Sequence, residues 1–275
     1  VNARRDAILR EMGLGPIWRL RDRPVAAEDD EPTCEDAQAE TAAPPAPEPA
    51  RARMPRPDPM PRVAPVVEPT RPDAPARTVP DMSDVAALDW DGLTERILAC
   101  RACALCEQRT QAVPGVGDRQ ADWLFVGEGP GAEEDARGEP FVGKAGKLLD
   151  AMMAAIGIAR GKGVYIANTV KCRPPLNRTP ETEELAACFP YLARQIELIQ
   201  PRLIVALGRP AAQSLLNTDI RIASARGRQF DYNGIPVVVT YHPAYLLRNP
   251  MDKAKAWEDL CFARRQMARL ATGET

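Results

Sequence analysis

The stretch Asp122-Trp-Leu-Phe-Val-Gly127-Glu-Gly-Pro-Gly131 decides the fold. Residues 122–127 are an apolar run of strand length, and the run stops at a turn with glycines at 127, 129 and 131. A strand apolar on both faces is buried on both, as in parallel sheets covered by helices. Three more runs repeat the pattern at 164–168, 203–207 and 237–241. Helical stripes separate them. Ala145, Leu148, Leu149, Met152 and Ile156 form one, and Leu185, Cys188, Phe189, Leu192, Ile196 and Ile199 form another. Thr179 is the expected cap of the second stripe, with Pro180 at its first position and Pro190 predicting a kink or a shifted start. A last helix is expected over 253–270. The sum is an α/β chain: a three-layer α/β/α sandwich with a central four-stranded parallel sheet, preceded by a disordered Pro/Ala-rich tail. In such sheets ligands bind beyond the carboxyl ends of the strands. That rule brings 127–131, 168–172, Gly208 and 241–243 to one rim.

Upstream the composition changes. The first 80 residues hold 16 of the 28 prolines and one aromatic, Trp18. Such a segment cannot bury enough apolar surface to offset chain entropy. Residues 1–24 read as a short amphipathic segment, with Ile8, Leu9, Met12 and Leu14 near one helical face, and as a candidate docking peptide for an unidentified protein partner. Residues 25–82 read as a Pro-rich linker and 83–275 as the globular domain.

The domain carries 24 Lys and Arg against 23 Asp and Glu, so overall charge does not mark a nucleic-acid binder, although Lys171, Arg173 and Arg178 cluster in one loop. No apolar run is long enough to cross a membrane, and the amino terminus lacks a signal-peptide core. Seven cysteines, two of them in a Cys-x2-Cys pair, fit metal binding in a reducing cytosol better than disulfides. Cys100-x2-Cys103 and Cys172-x15-Cys188 provide four thiolates, at spacings that suit zinc or an iron–sulfur cluster. Cys106 extends the first pair and leaves open which two of the three bind; Cys34 and Cys261 have no partner at ligand spacing.

Four residues on the rim carry candidate chemistry. Glu128 lies in a glycine turn whose backbone N–H groups suit an anion or a carbonyl oxygen, and no Gly-Lys-Ser/Thr follows to make it a phosphate loop. Phe141 stands before a glycine-rich helix start, either as core or as the wall of a flat aromatic site. Asn168 ends a strand, where its amide caps the loop or matches the edge of a nucleobase. His242 is the only histidine, so any imidazole chemistry is its own and no multi-histidine metal site exists.

Taken in order, the motifs resemble one family. They are Cys100-Arg-Ala-Cys103 with Arg109-Thr110, Gly127-Glu-Gly-Pro-Gly131 with Glu134-Asp135, and Gly138-Glu-Pro-Phe-Val-Gly143-Lys-Ala-Gly146. Asn168-Thr-Val-Lys-Cys172-Arg-Pro-Pro175, Asn177-Arg178, Cys188, Leu207-Gly208 and His242-Pro-Ala-Tyr-Leu-Leu-Arg248 complete the series. From about residue 96 to 268 the chain resembles the family 4, iron–sulfur uracil-DNA glycosylases. The resemblance implies an enzyme that flips uracil out of single- or double-stranded DNA and hydrolyses its N-glycosidic bond, leaving an abasic site. It also implies a [4Fe–4S] cluster on Cys100, Cys103, Cys172 and Cys188, as a scaffold. Phe141 would stack on uracil and Asn168 read its edge. His242 would bond uracil O2, and Glu128 with the turn at Gly127 and Gly129 would place water and base. Tyr245, Leu246 and Arg248 would contact DNA. A cytoplasmic monomer in a bacterial cell is the expected setting. Pro114 departs from the family pattern, where an aromatic is common.

Rival readings separate on composition. A cross-linking relative needs a second histidine, which is missing. A non-catalytic iron–sulfur or zinc DNA-binding module associated with a polymerase would share the cysteines without needing Asn168 and His242 together. A redox protein lacks a flavin motif.

Overall fold

In the computed structural model, residues 82–272 are described. Residues 1–81, on which the amphipathic segment and nearly all of the linker fall, lie outside them.

The four β-branched runs pair as expected. β2 (Trp123–Gly127), β3 (Val164–Asn168), β4 (Leu203–Leu207) and β6 (Ile235–Thr240) are mutually parallel, with β2 between β3 and β4 and β6 beyond β4. The sheet is larger than the predicted four strands and is not purely parallel. β1 (Val116–Gly117) adds antiparallel to β3 and β5 (Gln229–Tyr232) antiparallel to β6, giving the order β1-β3-β2-β4-β6-β5. The β5–β6 hairpin turns on Asn233-Gly234, both with positive φ (50° and 85°), the geometry a two-residue hairpin loop demands.

Eight α-helices are described: α1 (Trp90–Ala99), α2 (Ala132–Arg137), α3 (Lys144–Ala155), α4 (Thr182–Ile199), α5 (Arg209–Leu216), α6 (Ile222–Ala225), α7 (Pro243–Arg248) and α8 (Lys253–Thr272). Alternate residues of each strand face opposite layers. Phe125, Ile166, Val205 and Val238 pack with Leu149, Met152 and Met153 of α3 and with Leu260 and Ala263 of α8. On the other face Leu124, Ala167, Ile204 and Val239 meet Leu192, Ile196 and Ile199 of α4 and Ala211 and Leu215 of α5. A third cluster, built from Leu93 and Ile97 of α1 with Leu105, Val170, Cys188 and Tyr191, lies beside the sheet.

Two details of α4 differ from expectation. Its cap is Glu181, not Thr179, because the Glu184 carboxylate takes the Glu181 N–H at 2.8 Å and holds Arg178 at 2.7 Å. The helix also runs from Thr182 through Pro190, so its start is not shifted past the proline, around which Cys188, Tyr191, Leu192 and Gln195 are buried. Among the described residues no helix is long and apolar enough to cross a membrane.

Candidate functional site

Beyond the carboxyl ends of the parallel strands lies a cavity of about 560 Å³. Glu128, Gly129, Phe141, Asn168, His242, Tyr245 and Arg248 all line it, so the structure brings most of the expected site residues to one place.

The glycine turn is an extension of strand pairing. Thr169 N–H donates to Gly127 O (3.0 Å), Val170 N–H to Glu128 O (3.2 Å) and the Thr169 hydroxyl to Glu128 O (2.6 Å). These bonds fix the turn against the segment that carries Asn168. A Cβ on Gly127 would collide with Asn168 Oδ1 and would come within 2.6 Å of Phe141 Cζ. Only glycine leaves both side chains free to converge on one slot.

Phe141 is 6% exposed and takes φ = +56°, a left-handed conformation that costs a non-glycine residue of order 1 kcal/mol or more. Arg160 holds it there, donating to Pro140 O (2.9 Å) and Phe141 O (2.8 Å). Glu134 secures the same loop by accepting from Val142 and Gly143 N–H, both at 3.0 Å, and joins it to the glycine turn through Gly131 N–H at 3.1 Å. The Phe141 ring centre stands 5.5 Å from that of His242.

Asn168 is 2% exposed, and its Oδ1 is a buried polar atom with no hydrogen-bond partner. An unpaired buried acceptor is costly, on the order of 1–3 kcal/mol, and in a cavity wall it marks where a ligand donor belongs. The Asn168 main chain is held by the fully buried Lys171, whose Nζ donates to Asn168 O (2.8 Å) and Gln195 Oε1 (2.7 Å).

His242 caps α7: its Nδ1 accepts the Ala244 N–H at 3.1 Å. The ring proton therefore sits on Nε2 in the neutral form. Burial, reinforced by the positive Arg248, lowers its pKa from 6.5 to about 4, so the imidazole is neutral at physiological pH. Burial raises the Glu128 carboxyl above its usual 4.5, while the Thr179 hydroxyl and Arg248 oppose the rise. A neutral donor and a poised carboxylate thus face one cavity.

Two of the expected DNA contacts need revision. Leu246 is 1% exposed and packs in the core with the α3 and α8 side chains, so it cannot reach a ligand; its neighbour Leu247 is the exposed leucine, at 44%. Tyr245 reaches the rim, but its hydroxyl is committed to Asp252 Oδ2 (2.7 Å) and its ring stacks on Tyr241 at 5.1 Å. Arg248 is exposed at the mouth.

None of the four expected cysteine ligands lines the cavity. Cys172 and Cys188 are buried in the third cluster, Cys100 and Cys103 pack against it, and all four thiols are free. N–H donors point at their sulfurs: Arg109 Nη1 to Cys172 (2.9 Å), Lys171 N to Cys188 (3.3 Å) and Ala102 N to Cys100 (3.4 Å). Burial pushes the Cys172 thiol up to about 11 and Cys188 to about 12. Among the described residues no three His, Cys, Asp or Glu side chains are grouped closely enough to hold one metal ion. Soft sulfur donors in an apolar setting with N–H groups aimed at them do suit a multi-iron cluster, which spaces its thiolates more widely than a single ion does.

Arg109, Glu134 and Arg160 had no assigned role in the sequence, and Lys171 was read only as part of a basic loop. Only Glu134 carried a local signal, a Glu three residues after a helix-capping glycine.

Comparison with known proteins agrees with this geometry. The model of the uracil DNA glycosylase superfamily matches residues 114–261. A type-4 uracil-DNA glycosylase of Archaeoglobus fulgidus is 46% identical over 168 residues, 58% of this chain and 84% of the relative. That of Thermotoga maritima is 49% identical over 165 residues (59% and 85%), and that of Pyrobaculum aerophilum 43% over 181 residues (63% and 92%).

Proposed function

Given that this chain belongs to the type-4 uracil-DNA glycosylases of the uracil DNA glycosylase superfamily, and is a DNA-repair glycosylase, we propose how its own residues divide the reaction. The observation that carries the assignment is the unpartnered Oδ1 of Asn168 in the cavity wall. It accepts the N3–H of uracil, while the side-chain amide donates to O4. Cytosine, with an unprotonated N3 and an amino group at C4, reverses both contacts and leaves buried groups unpaired, which discriminates strongly. Phe141 stacks on the flipped base, whose extraction costs a few kcal/mol of unstacking.

As the C1′–N1 bond breaks, its electron pair leaves with uracil and negative charge spreads to O2. The neutral His242 donates its Nε2–H there, held in that tautomer by Ala244 N–H. Glu128 orients the water that adds to C1′ and accepts its proton. The products are free uracil and an abasic site. Arg248 meets the backbone phosphates at the mouth, with Tyr245 beside it.

Cys100, Cys103, Cys172 and Cys188 would hold a [4Fe–4S] cluster. When bound it supplies covalent bracing of the loops, not chemistry on the base. Residues 1–24 are proposed as a docking segment for a protein partner, joined by a linker to a domain that works as a monomer.

The test is uracil release from oligonucleotides carrying uracil, cytosine or hypoxanthine. Wild-type protein should release uracil and leave cytosine intact. Asn168→Ala should reduce uracil release by about 100-fold or more, far beyond any change in melting temperature, since the Oδ1 removed has no partner within the protein to lose. Unchanged release by that variant would remove Asn168 from the site.

A further inference from the structure

Only four large apolar side chains are exposed among the described residues, and three of them occur in, or just after, the two segments that line the cavity mouth. Leu247 and Met251 (88% exposed) belong to α7 and the short turn Pro250–Asp252 after it. The third, Leu176, is 96% exposed and stands on a different segment, where Pro174, Asn177 and Arg178 line the cavity.

Leu176 is unusual in its backbone as well as its exposure. It takes φ = +53° and Asn177 φ = +56°, two consecutive left-handed residues, of which only asparagine adopts that region readily. A surface leucine alone means nothing. A leucine that buries nothing and is also held in a disfavoured conformation is not explained by packing of the fold. The surrounding loop is rigidly tied. Asn177 N–H donates to Pro174 O (3.0 Å), Arg178 N–H to Pro175 O (3.1 Å) and Arg173 Nε to Asn177 Oδ1 (2.8 Å). Arg178 is locked by a two-pronged pair with Glu184 at 2.7 and 2.9 Å. The result is a fixed apolar point beside the cationic Arg173, with the Arg178 guanidinium already paired to Glu184 and Glu181.

We propose that Leu176 is a DNA wedge: it enters the base stack beside the extruded deoxyuridine and fills space in the duplex from a segment separate from α7. This rests on the glycosylase reading above. Apolar side chains inserted at a base step are an established means of holding a duplex unstacked, and cations beside them meet the phosphates. A wedge of this kind matters when the base must be drawn from a double helix. It matters little in a single strand, where no intact stack closes behind the flipped base. Leu176 therefore sets the balance between double- and single-stranded substrates.

The test compares single-turnover uracil release from a duplex and from the same single strand, for the wild-type protein and for Leu176→Asn, Leu176→Gly and Leu176→Met. Asn and Gly accept the left-handed backbone and remove no buried contact, so the melting temperature should hold. The duplex-to-single-strand rate ratio should fall by about tenfold or more in the Asn and Gly variants and be kept by Met. A 2-aminopurine base next to the uracil should brighten on binding wild-type protein to the duplex, and brighten less with Leu176→Asn. A smaller change in the ratio, or an equal loss on both substrates, would overturn the proposal. Wild-type protein that releases uracil from neither substrate would overturn the glycosylase reading itself, a result no Leu176 variant can mimic.

Discussion

His242→Asn tests the electrostatics of the site most directly. Asparagine is a good cap and can take over the Ala244 N–H, so the start of α7 survives while the titrating ring is removed. In the folded protein the His242 pKa lies near 4, below the 6.5 of an unperturbed imidazole. Between those values the unfolded chain binds a proton that the folded chain refuses. Wild-type stability is therefore complete above pH 6.5 and is lost as pH falls towards 4. The drop from 6.5 to about 4, at roughly 1.4 kcal/mol per pH unit, is worth about 3 kcal/mol, of which about 2.5 kcal/mol is gone by pH 4.5. The asparagine variant carries no such penalty. Urea denaturation of both proteins from pH 7.5 to 4.5 should show the variant gaining on wild type by that amount, with the carboxylate titrations common to both cancelling. In the same pH range the neutral donor predicts that His242 adds no break near 6.5 to the uracil-release rate, and that the variant loses about 100- to 1,000-fold. A stability difference that stays constant with pH, or a break near 6.5 that persists in Glu128→Gln, would refute the neutral imidazole.

Glu128→Gln should remove the acid limb of the rate profile, a limb expected above pH 4.5 because burial raises that carboxyl and a base must be ionised to act; a surviving limb would assign it elsewhere. Gly127→Ala should cost about 1–3 kcal/mol and most of the activity, since the new methyl meets Asn168 and Phe141 together; calorimetry and uracil release on one sample give both numbers. On the proposed cluster, Cys172→Ser should lower the iron that purifies with the protein, weaken its visible absorbance and reduce the melting temperature, read by metal analysis and absorbance; an iron content equal to wild type would exclude Cys172 as a ligand.

The parallel core was legible because each buried strand is a short, largely apolar run, and β3 and β4 fall on their expected residues. The edge strands were missed for different reasons. β1 is two residues long, follows Gly115 and ends on Gly117, too little for any periodicity. β5 did have a signal: Gln229, Phe230, Asp231 and Tyr232 alternate before Asn233-Gly234, the strongest short hairpin cue. Asn168 and His242 could be placed on the rim because Asn168 ends one parallel strand and His242 follows the end of another by two residues. Leu246 could not be told from Leu247 in the sequence, as a helix of six residues is too short for its periodicity to say which leucine faces the core. Lys171 was read as part of a surface basic loop, yet it is buried, because Gln195 and the Asn168 carbonyl wait for its amine from elements distant in sequence.

That lysine defines a segment with little freedom of length. Residues 168–172 begin with the side chain assigned to uracil and end with a thiol of the third cluster, and every residue between them is bonded to a fixed neighbour. Thr169 and Val170 are tied to the glycine turn, and Lys171 receives Val113 N–H at its carbonyl while its own N–H goes to Cys188. Inserting or deleting a single residue here would leave Asn168 or Cys172 out of register, whichever end kept its place. In a scan of one-residue insertions along the domain, this stretch should tolerate none, although no residue in it except Asn168 lines the cavity.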